Sequence, residues 1–476
     1  MLVLGIDLGT SAVKAVLVEG EAIVAEGLGP LSVSSPRPGW SEQSPADWLE
    51  AMRRAVAALG PRRADVAGIS LSGQMHGAVM LDARNAPVRD CILWNDSRAA
   101  AHCETLEDRI PDIGMRAGVR PLPGFTAPKV LWLAEAEPEA HGRIASVMLP
   151  KDYLALWLTG EAGSDMSDAA GTLWLDQAAR AWDPALAEAS ATDPAWLPPL
   201  RDGFAEVGKI RTERARELGL PAGIPLFAGG GDAATGALSV GAARPGACFI
   251  SLGTSGQLLV VDAAYAPNPD EFVHAFSHTL PGLWYRMAAM LNGARPMAWF
   301  AGVLGMEVEP MLAEAARADT SRVPLFLPYL TGERSPHGDP AIRAGFYGLE
   351  DATGRPEMAR AVVEAMAFMM RDARDSFGAG FAPDGPIPVL GGGAQSDFVL
   401  GTLASVLGHP VARAEAGRGG PAYGAARLAQ VGLGEISQGD LAFTPKLKKV
   451  FEPETQGLEP RLAQFRELYA RLRGGL

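Results

Sequence analysis

The hydrophobic residues of this chain form two stretches that share one pattern although they lie far apart. The first covers residues 2–18 and the second residues 247–261, and each has a Gly-Thr-Ser turn between two apolar runs. An apolar run, a glycine turn and another apolar run predict a β-hairpin. We therefore predict two halves of similar architecture, residues 1–243 and 244–476, each beginning with a hairpin.

Between and after the hairpins, strand patterns alternate with helix patterns. Residues 66–71 and 387–390 are short apolar runs typical of strands. Residues 44–56 predict an amphipathic helix capped by its first residue, a serine, and residues 357–374 also have the helical period. Residues 422–429 predict an alanine-rich helix whose small side chains permit tight packing. The alternation predicts an α/β fold.

The two Gly-Thr-Ser turns are candidate phosphate loops. Glycine lets backbone N–H groups approach a phosphate without a Cβ in the way, and the threonine and serine add hydroxyl donors. Two such hairpins facing each other would hold one nucleotide between them. The candidate nucleotide-binding residues are Gly9, Thr10, Ser11 and Lys14 in the first copy, and Gly253, Thr254 and Ser255 in the second.

A third glycine-rich segment directly follows the predicted strand at 387–390. Gly391, Gly392, Gly393 and Ala394 lack long side chains, so a flat base or a ribose can lie against their backbone. The segment has no Gly-Lys-Ser/Thr continuation and no G-x-G-x-x-G spacing, so it is neither a Walker A loop nor a Rossmann loop. We predict that it contacts the adenosine of a nucleotide, although a flexible turn is the plainer alternative.

Two carboxylates stand where an apolar strand ends. Asp7 lies inside the first apolar run, where a buried charge needs strong donors or a cation, and hydrated Mg²⁺ suits such a site. Asp232 follows three glycines and precedes a small-residue helix, where it can receive a proton from a substrate hydroxyl. The alternatives are a loop-capping role for Asp7 and a helix-capping role for Asp232.

Polar side chains at two further strand ends suit a ligand with many hydroxyl groups. Such a ligand needs directional donors and acceptors, and Trp94 offers an apolar face for its C–H groups. A structural histidine and a core aromatic are the alternatives for His76 and Trp94. The candidate sugar-binding residues are Gln74, Met75, His76, Asn95 and Asp96, together with Asp232.

Composition narrows the class of protein. With 476 residues, two domains are expected; the net charge of -13 argues against a nucleic-acid-binding surface. No run of about 20 apolar residues suggests a membrane helix, and a start that carries Asp7 and lacks a basic segment suggests no signal peptide. Three scattered cysteines predict neither a disulfide framework nor a zinc site, so we expect a cytoplasmic protein.

The motifs in their order along the chain resemble those of the FGGY family of carbohydrate kinases, and the likeness runs from one end to the other. It is closest to the branch of that family that acts on D-xylulose. Two stretches, 124–132 and 344–364, resemble the signatures of the whole family. The motifs of the branch stand at 74–77 (Gln-Met-His-Gly), 94–98, 123–129, 149–153, 164–172 and 327–334.

This resemblance implies two RNase H-like domains of the actin and hexokinase type around a central cleft. It implies that Mg²⁺ and ATP are used to phosphorylate the terminal hydroxyl of D-xylulose, giving D-xylulose 5-phosphate. By match of motif, Asp232 falls on the catalytic base and Asp7 on the aspartate that the Mg-ATP reaction needs. Met75 and His76 fall on ketose-binding positions. A homodimer is expected by analogy only.

Two departures from the family pattern bear on the substrate. Many members of the branch have asparagine directly after the catalytic aspartate, whereas this chain has Ala233; residues 291–296 also differ from the expected small-residue stretch. A kinase for another ketose or polyol, such as ribulose, glycerol or gluconate, is therefore an alternative. An actin-type ATPase without a sugar substrate and a sugar-binding module without catalysis are more remote ones.

Overall fold

The computed structural model of the chain describes residues 1–415, 420–454 and 458–474. Within these ranges the N-terminal half carries a six-stranded sheet in the order β5-β6-β4-β1-β2-β3. β1 pairs with β2 and β2 with β3 antiparallel, whereas β4 runs parallel to both β1 and β6. The strands are β1 (Leu2–Leu8), β2 (Ala12–Glu19), β3 (Ala22–Pro30), β4 (Gly68–Gly73), β5 (Glu206–Lys209) and β6 (Pro225–Gly231).

The C-terminal half repeats this plan in a sheet with seven strands in the described residues, ordered β9-β10-β8-β7-β11-β12-β13. Again an antiparallel hairpin, β7 and β8, lies beside parallel strands, since β11 runs parallel to β7 and to β12. The strands are β7 (Cys248–Leu252), β8 (Gly256–Asp262), β9 (His274–Ser277), β10 (Trp284–Met290), β11 (Ile387–Leu390), β12 (Val411–Ala414) and β13 (Leu447–Phe451).

Helices cover these sheets and fill the connections between them. The helices of the N-terminal half are α1 (Pro45–Ala58), α2 (Ala100–Arg109), α3 (Ile113–Ala117), α4 (Thr126–Ala136), α5 (Pro138–His141), α6 (Pro150–Thr159), α7 (Met166–Ala169), α8 (Pro184–Ala189), α9 (Thr212–Leu218) and α10 (Asp232–Ser239). Those of the C-terminal half are α11 (Arg295–Val303), α12 (Val308–Ala315), α13 (Arg355–Asp375), α14 (Asp397–Leu407), α15 (Pro421–Gly432) and α16 (Leu458–Leu472).

Shorter elements lie in the loops. Strands of two or three residues are Glu42–Gln43, Val79–Leu81, Cys91–Ile92, Ser146–Met148, Ser164–Asp165, Leu175–Asp176, Ala181–Trp182, Leu200–Arg201, Leu325–Leu327 and Gly345–Tyr347. Turns of 3₁₀-helix are Pro61–Asp65, Ala170–Thr172, Pro194–Trp196, Pro269–Glu271, Thr320–Arg322, Gly378–Gly380, Gly392–Gln395 and Gln438–Leu441. In the described residues, no helix has both the length and the apolar character that a membrane span requires.

The predicted hairpins, strands and helices are confirmed, and so is the repeated α/β plan. The prediction that Ser44 caps α1 is wrong, because its side chain makes no capping hydrogen bond. Its carbonyl instead accepts from the amide of Asp47 (3.0 Å), and Pro45 begins the helix. The division of the chain at residue 243 stays a prediction.

Helix α15 joins the two halves, because it belongs to the C-terminal half but packs on β1, β4 and β6 of the first sheet. Its backbone touches its neighbours directly. A Cβ added to Gly5 of β1 would lie 2.0 Å from the carbonyl oxygen of Ala422, and one added to Gly424 would lie 1.9 Å from that of Thr235. The small residues that predicted tight packing therefore bring this helix against both the first sheet and α10.

Three clusters of buried side chains form the main cores. One lies around the first sheet and a second around the second sheet, where α13 is its central helix. The third takes residues from both halves, including Phe125 and Trp174 from the first and Phe276 and Tyr285 from the second. This shared core fixes one end of the cleft between the halves.

The contact of α15 predicts a sharp difference between two glycines that both lie within helices. Gly424→Ala forces a methyl group against the backbone of α10, and we expect it to lower the free energy of unfolding by about 1–3 kcal/mol. Gly401→Ala in α14 is the matched control, because a Cβ there meets nothing within 4 Å. We expect that variant to be as stable as the parent or more stable by up to about 1 kcal/mol. Urea unfolding measures both, and equal stabilities would contradict this account of the interface.

Candidate active site

A cleft of about 370 Å³ opens between the two halves. The N-terminal half contributes the start of α10 and the loop after β4, and the C-terminal half contributes β8, β9, β10 and the turn before β8. The sequence-predicted residues that line it are Met75, His76, Trp94, Asp232, Thr254 and Ser255. Candidate sugar, base and phosphate positions thus meet in one place.

Asp232 is the first residue of α10 and directly follows β6. The amide of Gly231 donates to the Ser167 hydroxyl (3.1 Å), which in turn donates to Asp165 (2.6 Å). These hydrogen bonds fix the backbone that precedes Asp232. Burial and the nearby negative charge of Asp7 raise the pKa of Asp232 to about 7, against a hydrogen bond from the Ala233 amide. A carboxylate with such a pKa is suited to exchange a proton near neutral pH.

Asp7 lies near the end of β1, opposite Lys14 of β2 and beside Ser72 of β4. Burial raises its pKa to about 6, although the Ser72 hydroxyl and the charge of Lys14 oppose the change. Its Oδ1 is buried and has no hydrogen-bond partner among the described residues. Burial makes the ionised form of this carboxyl group costly, and a nearby cation would stabilise it. The unpartnered oxygen therefore fits a site for a cation.

The turn at Gly9 is held rigidly by side chains from its own half. The Thr10 hydroxyl donates to Gln74 (2.9 Å) and accepts from the Trp94 indole (2.9 Å), and its carbonyl accepts from Gln43 (2.7 Å). The threonine side chain is committed to these partners, and the amide of Gly9 donates to the carbonyl of Ala12 (3.0 Å). The amides of Thr10 and Ser11 are therefore the backbone donors of the turn that are left to face a phosphate.

The other predicted nucleotide ligands near this turn, Ser11 and Lys14, differ in their contacts. Ser11, at the end of the turn, is exposed to solvent. Lys14 forms an ion pair with Glu26 (3.3 Å). Since this pair is largely accessible to water, it holds Lys14 only weakly, and the ammonium can turn toward a phosphate at small cost.

The second Gly-Thr-Ser turn rests on the segment at 291–296 that departs from the family pattern. The amides of Gly293 and Ala294 donate to the carbonyls of Thr254 (3.0 Å) and Gly253 (2.7 Å). A Cβ at Gly293 would lie 2.2 Å from the carbonyl oxygen of Ser255. The segment therefore has a glycine, Gly293, at the position that lies against the backbone of Ser255.

A larger cavity, of about 760 Å³, lies beyond this segment. It is lined by Gly392, Gly393 and apolar residues of α11, α12 and α14, such as Met297 and Leu312. Ala294 lines this cavity, whereas Leu291 and Arg295 of the same segment line the cleft, so the two spaces share a wall.

The glycine-rich segment begins in a conformation that favours glycine. Gly391 has φ 92°, and a Cβ there would lie 2.6 Å from the carbonyl oxygen of Leu252. Gly393 and Ala394 are buried, and Gly392 and Gly393 line the large cavity. An apolar cavity bordered by bare backbone has the character that a nucleoside needs.

His76 adopts φ 71°, which is unusual for a residue other than glycine. Its Nδ1 lies 2.8 Å from the carbonyl oxygen of Gly171, so this nitrogen carries the proton and Nε2 is left as an acceptor. Burial lowers the pKa of His76 to about 3 and keeps the ring neutral. Its carbonyl is anchored by Lys129 (2.8 Å) and Thr126 (3.2 Å).

Three of the predicted sugar ligands do not line the cleft. Gln74 is buried and bonds Thr10 and, through its amide, Gln43 (3.0 Å), so it supports the first turn. Asp96 is buried in a bidentate pair with Arg98 (2.9 and 2.7 Å). Asn95 is exposed outside the cleft wall.

The cleft also contains residues that were not among the predicted ligands. His274 and Arg334 lie in its wall with Gln257 and Arg295. Arg334 is the last residue of the motif at 327–334. Its place in that motif could have indicated a role in the site, whereas an arginine by itself does not. His274 begins an apolar strand, where a histidine cannot be distinguished by pattern from a core residue.

Behind Asp232, a buried lysine lies among three carboxylates. Lys151 Nζ is 2.5 Å from Asp152, 3.0 Å from Asp165 and 3.7 Å from Asp168. Burial lowers the pKa of Lys151, but the three carboxylates outweigh it and hold the pKa above its usual value. Burial raises the pKa of Asp168 far above its usual range.

The chain matches known proteins over nearly its whole length. Family models for the N-terminal and the C-terminal domain of the FGGY family of carbohydrate kinases match residues 2–239 and 248–433. The xylulose kinase of Escherichia coli (strain K12) is 42% identical over 480 residues, covering 98% of this chain and 99% of that relative.

Solved structures agree. A xyloylose kinase from Brucella ovis superposes with a TM-score of 0.91 at 40% identity, covering 99% of this chain and 98% of that chain. A gluconate kinase from Lactobacillus acidophilus superposes with a TM-score of 0.90 at 26% identity, covering 99% and 96%. The chain belongs to the FGGY family of carbohydrate kinases.

Proposed function

We propose that the chain transfers the terminal phosphoryl group of ATP to the terminal hydroxyl of D-xylulose, releasing ADP and D-xylulose 5-phosphate. The observation that carries the proposal is the position of Asp232, whose carboxylate stands in the cleft together with His76 and the second Gly-Thr-Ser turn. The ketose follows from the E. coli xylulose kinase, which this chain matches from end to end.

In this proposal Asp232 is the catalytic base. Its carboxylate accepts the proton of the sugar hydroxyl as that oxygen bonds the phosphorus and the bond from phosphorus to ADP breaks. His76 accepts a hydrogen bond from another sugar hydroxyl through Nε2, and Met75 forms part of the wall beside it. Closing off water at this point protects ATP from hydrolysis.

ATP would occupy both cavities. Its adenosine fits the apolar cavity of about 760 Å³ beside Gly391, Gly392, Gly393 and Ala394. From there the shared wall at 291–296 leads to the cleft, where Thr254 and Ser255 of the second turn are available for the phosphates. The first turn borders the cleft through Thr10, which is hydrogen-bonded to the lining residue Trp94. The backbone amides of these turns supply the donors.

Mg²⁺ would be held by Asp7 together with phosphate oxygens and water. No cluster of three or more histidine, cysteine or acidic residues suited to a metal is found in the described ranges, and Mg²⁺ that arrives with a nucleotide needs only one or two carboxylates. When bound, the ion neutralises charge on the phosphates. The unpartnered Oδ1 of Asp7 is the observation that supports this assignment.

A cytoplasmic location is also proposed, since ATP is the co-substrate and Cys91, Cys103 and Cys248 are free thiols. The homodimer stays a prediction.

A second candidate is the same reaction on another polyhydroxylated acceptor. Ala233 cannot make the side-chain hydrogen bond that asparagine makes in many relatives. The gluconate kinase has nearly the same TM-score as the xyloylose kinase, so the backbone does not select the sugar.

The first prediction of this proposed function concerns the sugar. In a coupled assay of ADP release, D-xylulose should give the highest kcat/KM in a panel with D-ribulose, glycerol and gluconate, and ATP turnover without sugar should be slow. A higher kcat/KM for another acceptor would favour the second candidate. If no sugar stimulated ADP release, the kinase activity itself would be disproved.

The second prediction concerns the base. Asp232→Asn keeps the size of the side chain but removes its ability to take a proton, so kcat should fall by about 10²–10⁴-fold. Binding of ATP, measured by calorimetry, should be unchanged. Asp65→Asn, at an exposed position away from the cleft, is the control and should keep full activity. Turnover of Asp232→Asn near that of the control would exclude the role of base.

The third prediction concerns pH. Because the base must be ionised and the pKa of Asp232 is raised to about 7, kcat/KM for the sugar should fall as the pH drops below that value. Part of the rise comes from the charge of Asp7, so saturating Mg²⁺ should move the fall to lower pH than limiting Mg²⁺ does. Profiles measured from pH 5.5 to 8.5 at both Mg²⁺ levels test this, and a flat pair of profiles would contradict it.

A further inference from the structure

His274 lies at the start of β9 and is almost completely buried, with 1% of its surface exposed. Its ring stacks on Phe276 (5.3 Å between centroids) and meets the edge of Phe125 (5.7 Å), which in turn contacts the ring of His76 (4.4 Å). The imidazole therefore lies among aromatic side chains in the wall of the cleft.

Both ring nitrogens of His274 are buried and have no hydrogen-bond partner in the described part of the chain. A buried polar group left unpaired costs about 1–3 kcal/mol, and phenylalanine or leucine would fill this apolar wall without that cost. Burial, together with the positive charge of Arg334, holds the pKa of His274 well below its usual value, so the ring is neutral. A neutral imidazole offers one donor and one acceptor, which matches two neighbouring hydroxyl groups.

Arg334 lies in the same wall and its charge acts on both His76 and His274. Among the described residues, its guanidinium has neither a hydrogen bond nor an ion pair. The adjacent carboxylate of Glu333 is occupied by the amides of Leu291 (2.5 Å) and Arg334 itself (2.8 Å). The planar fork of the guanidinium is therefore free to bind two oxygen atoms at once.

Ala233 lines the same cleft next to Asp232, and its methyl group makes no hydrogen bond to a sugar. We propose that His274 and Arg334 bind the oxygen atoms of the sugar acceptor, so that the C-terminal half supplies the polar contacts that Ala233 does not make. The inference rests on the proposed function, because it requires a polyhydroxylated acceptor in this cleft. Arg334 suits the carbonyl and a neighbouring hydroxyl of a ketose, and His274 suits a pair of hydroxyls.

The alternative is that His274 is a core residue whose nitrogens have no role. The two readings differ in what His274→Leu does. If the ring is only core, leucine should leave the KM for sugar unchanged. If it binds sugar, leucine should weaken sugar binding while the free energy of unfolding stays the same or rises, because an unpaired polar group has been removed.

The test uses the full chain and D-xylulose. His274→Leu and Arg334→Met should each raise the KM for the sugar about 10–100-fold, the effect of losing one or two hydrogen bonds to a bound polar ligand. The dissociation constant of ATP, measured by calorimetry without sugar, should stay within twofold of the parent. His274→Asn, which keeps a donor and an acceptor, should recover part of the affinity.

Matched controls are His409→Leu and Arg343→Met, which change the same residue types outside the cleft and should keep the parent KM. Unchanged KM in both cleft variants would overturn the inference while leaving the proposed function intact. A parent chain that no sugar stimulates would overturn both. Loss of ATP binding in the variants together with lowered stability would show a structural role and also count against sugar contact.

Discussion

Negative charge gathered at one end of the first sheet is the constraint on which the site depends. β1, β4 and β6 run parallel, so Asp7 near the end of β1 and Asp232 just beyond β6 reach the same edge. Ligands of open α/β sheets bind at this edge. Burial and the charge of Asp7 both raise the pKa of Asp232, so a proton on Asp232 or a cation near Asp7 lowers the cost of placing two carboxylates at this edge.

The residues below this edge keep the charge in place. Lys151 compensates part of the charge of Asp152, Asp165 and Asp168, and Asp165 fixes Ser167, whose hydroxyl receives the amide that precedes Asp232. The base is therefore positioned by hydrogen bonds of the backbone before it, and its carboxylate accepts a hydrogen bond from the neighbouring amide of Ala233. This arrangement leaves the Asp232 oxygens available for a substrate hydroxyl.

Local patterns predicted local structure well and contacts between distant segments poorly. The hairpins and the helix at 355–375 follow from periodicity and turn residues. Small side chains indicated that α15 packs tightly, yet only the fold shows that its partner is the sheet of the other half. Asp96 was expected in the cleft, but its carboxylate is hydrogen-bonded to Arg98, two residues further on. Spacing alone does not show in which direction a side chain at the end of a strand points. His274 was not predicted as a site residue because it lies in an apolar strand, where the pattern does not distinguish it from a core residue.

Contacts to the acceptor from both walls would tie sugar binding to the arrangement of the halves. His76 and Asp232 belong to the first half, whereas the inferred ligands His274 and Arg334 belong to the second. A sugar that is hydrogen-bonded to both walls favours the arrangement of the halves in which both walls reach it. A ligand shifts the equilibrium between two arrangements only through its different affinity for each. Water has no such preference, because it cannot span the walls as a single ligand. The sugar thereby contributes to excluding the solvent that would otherwise hydrolyse ATP.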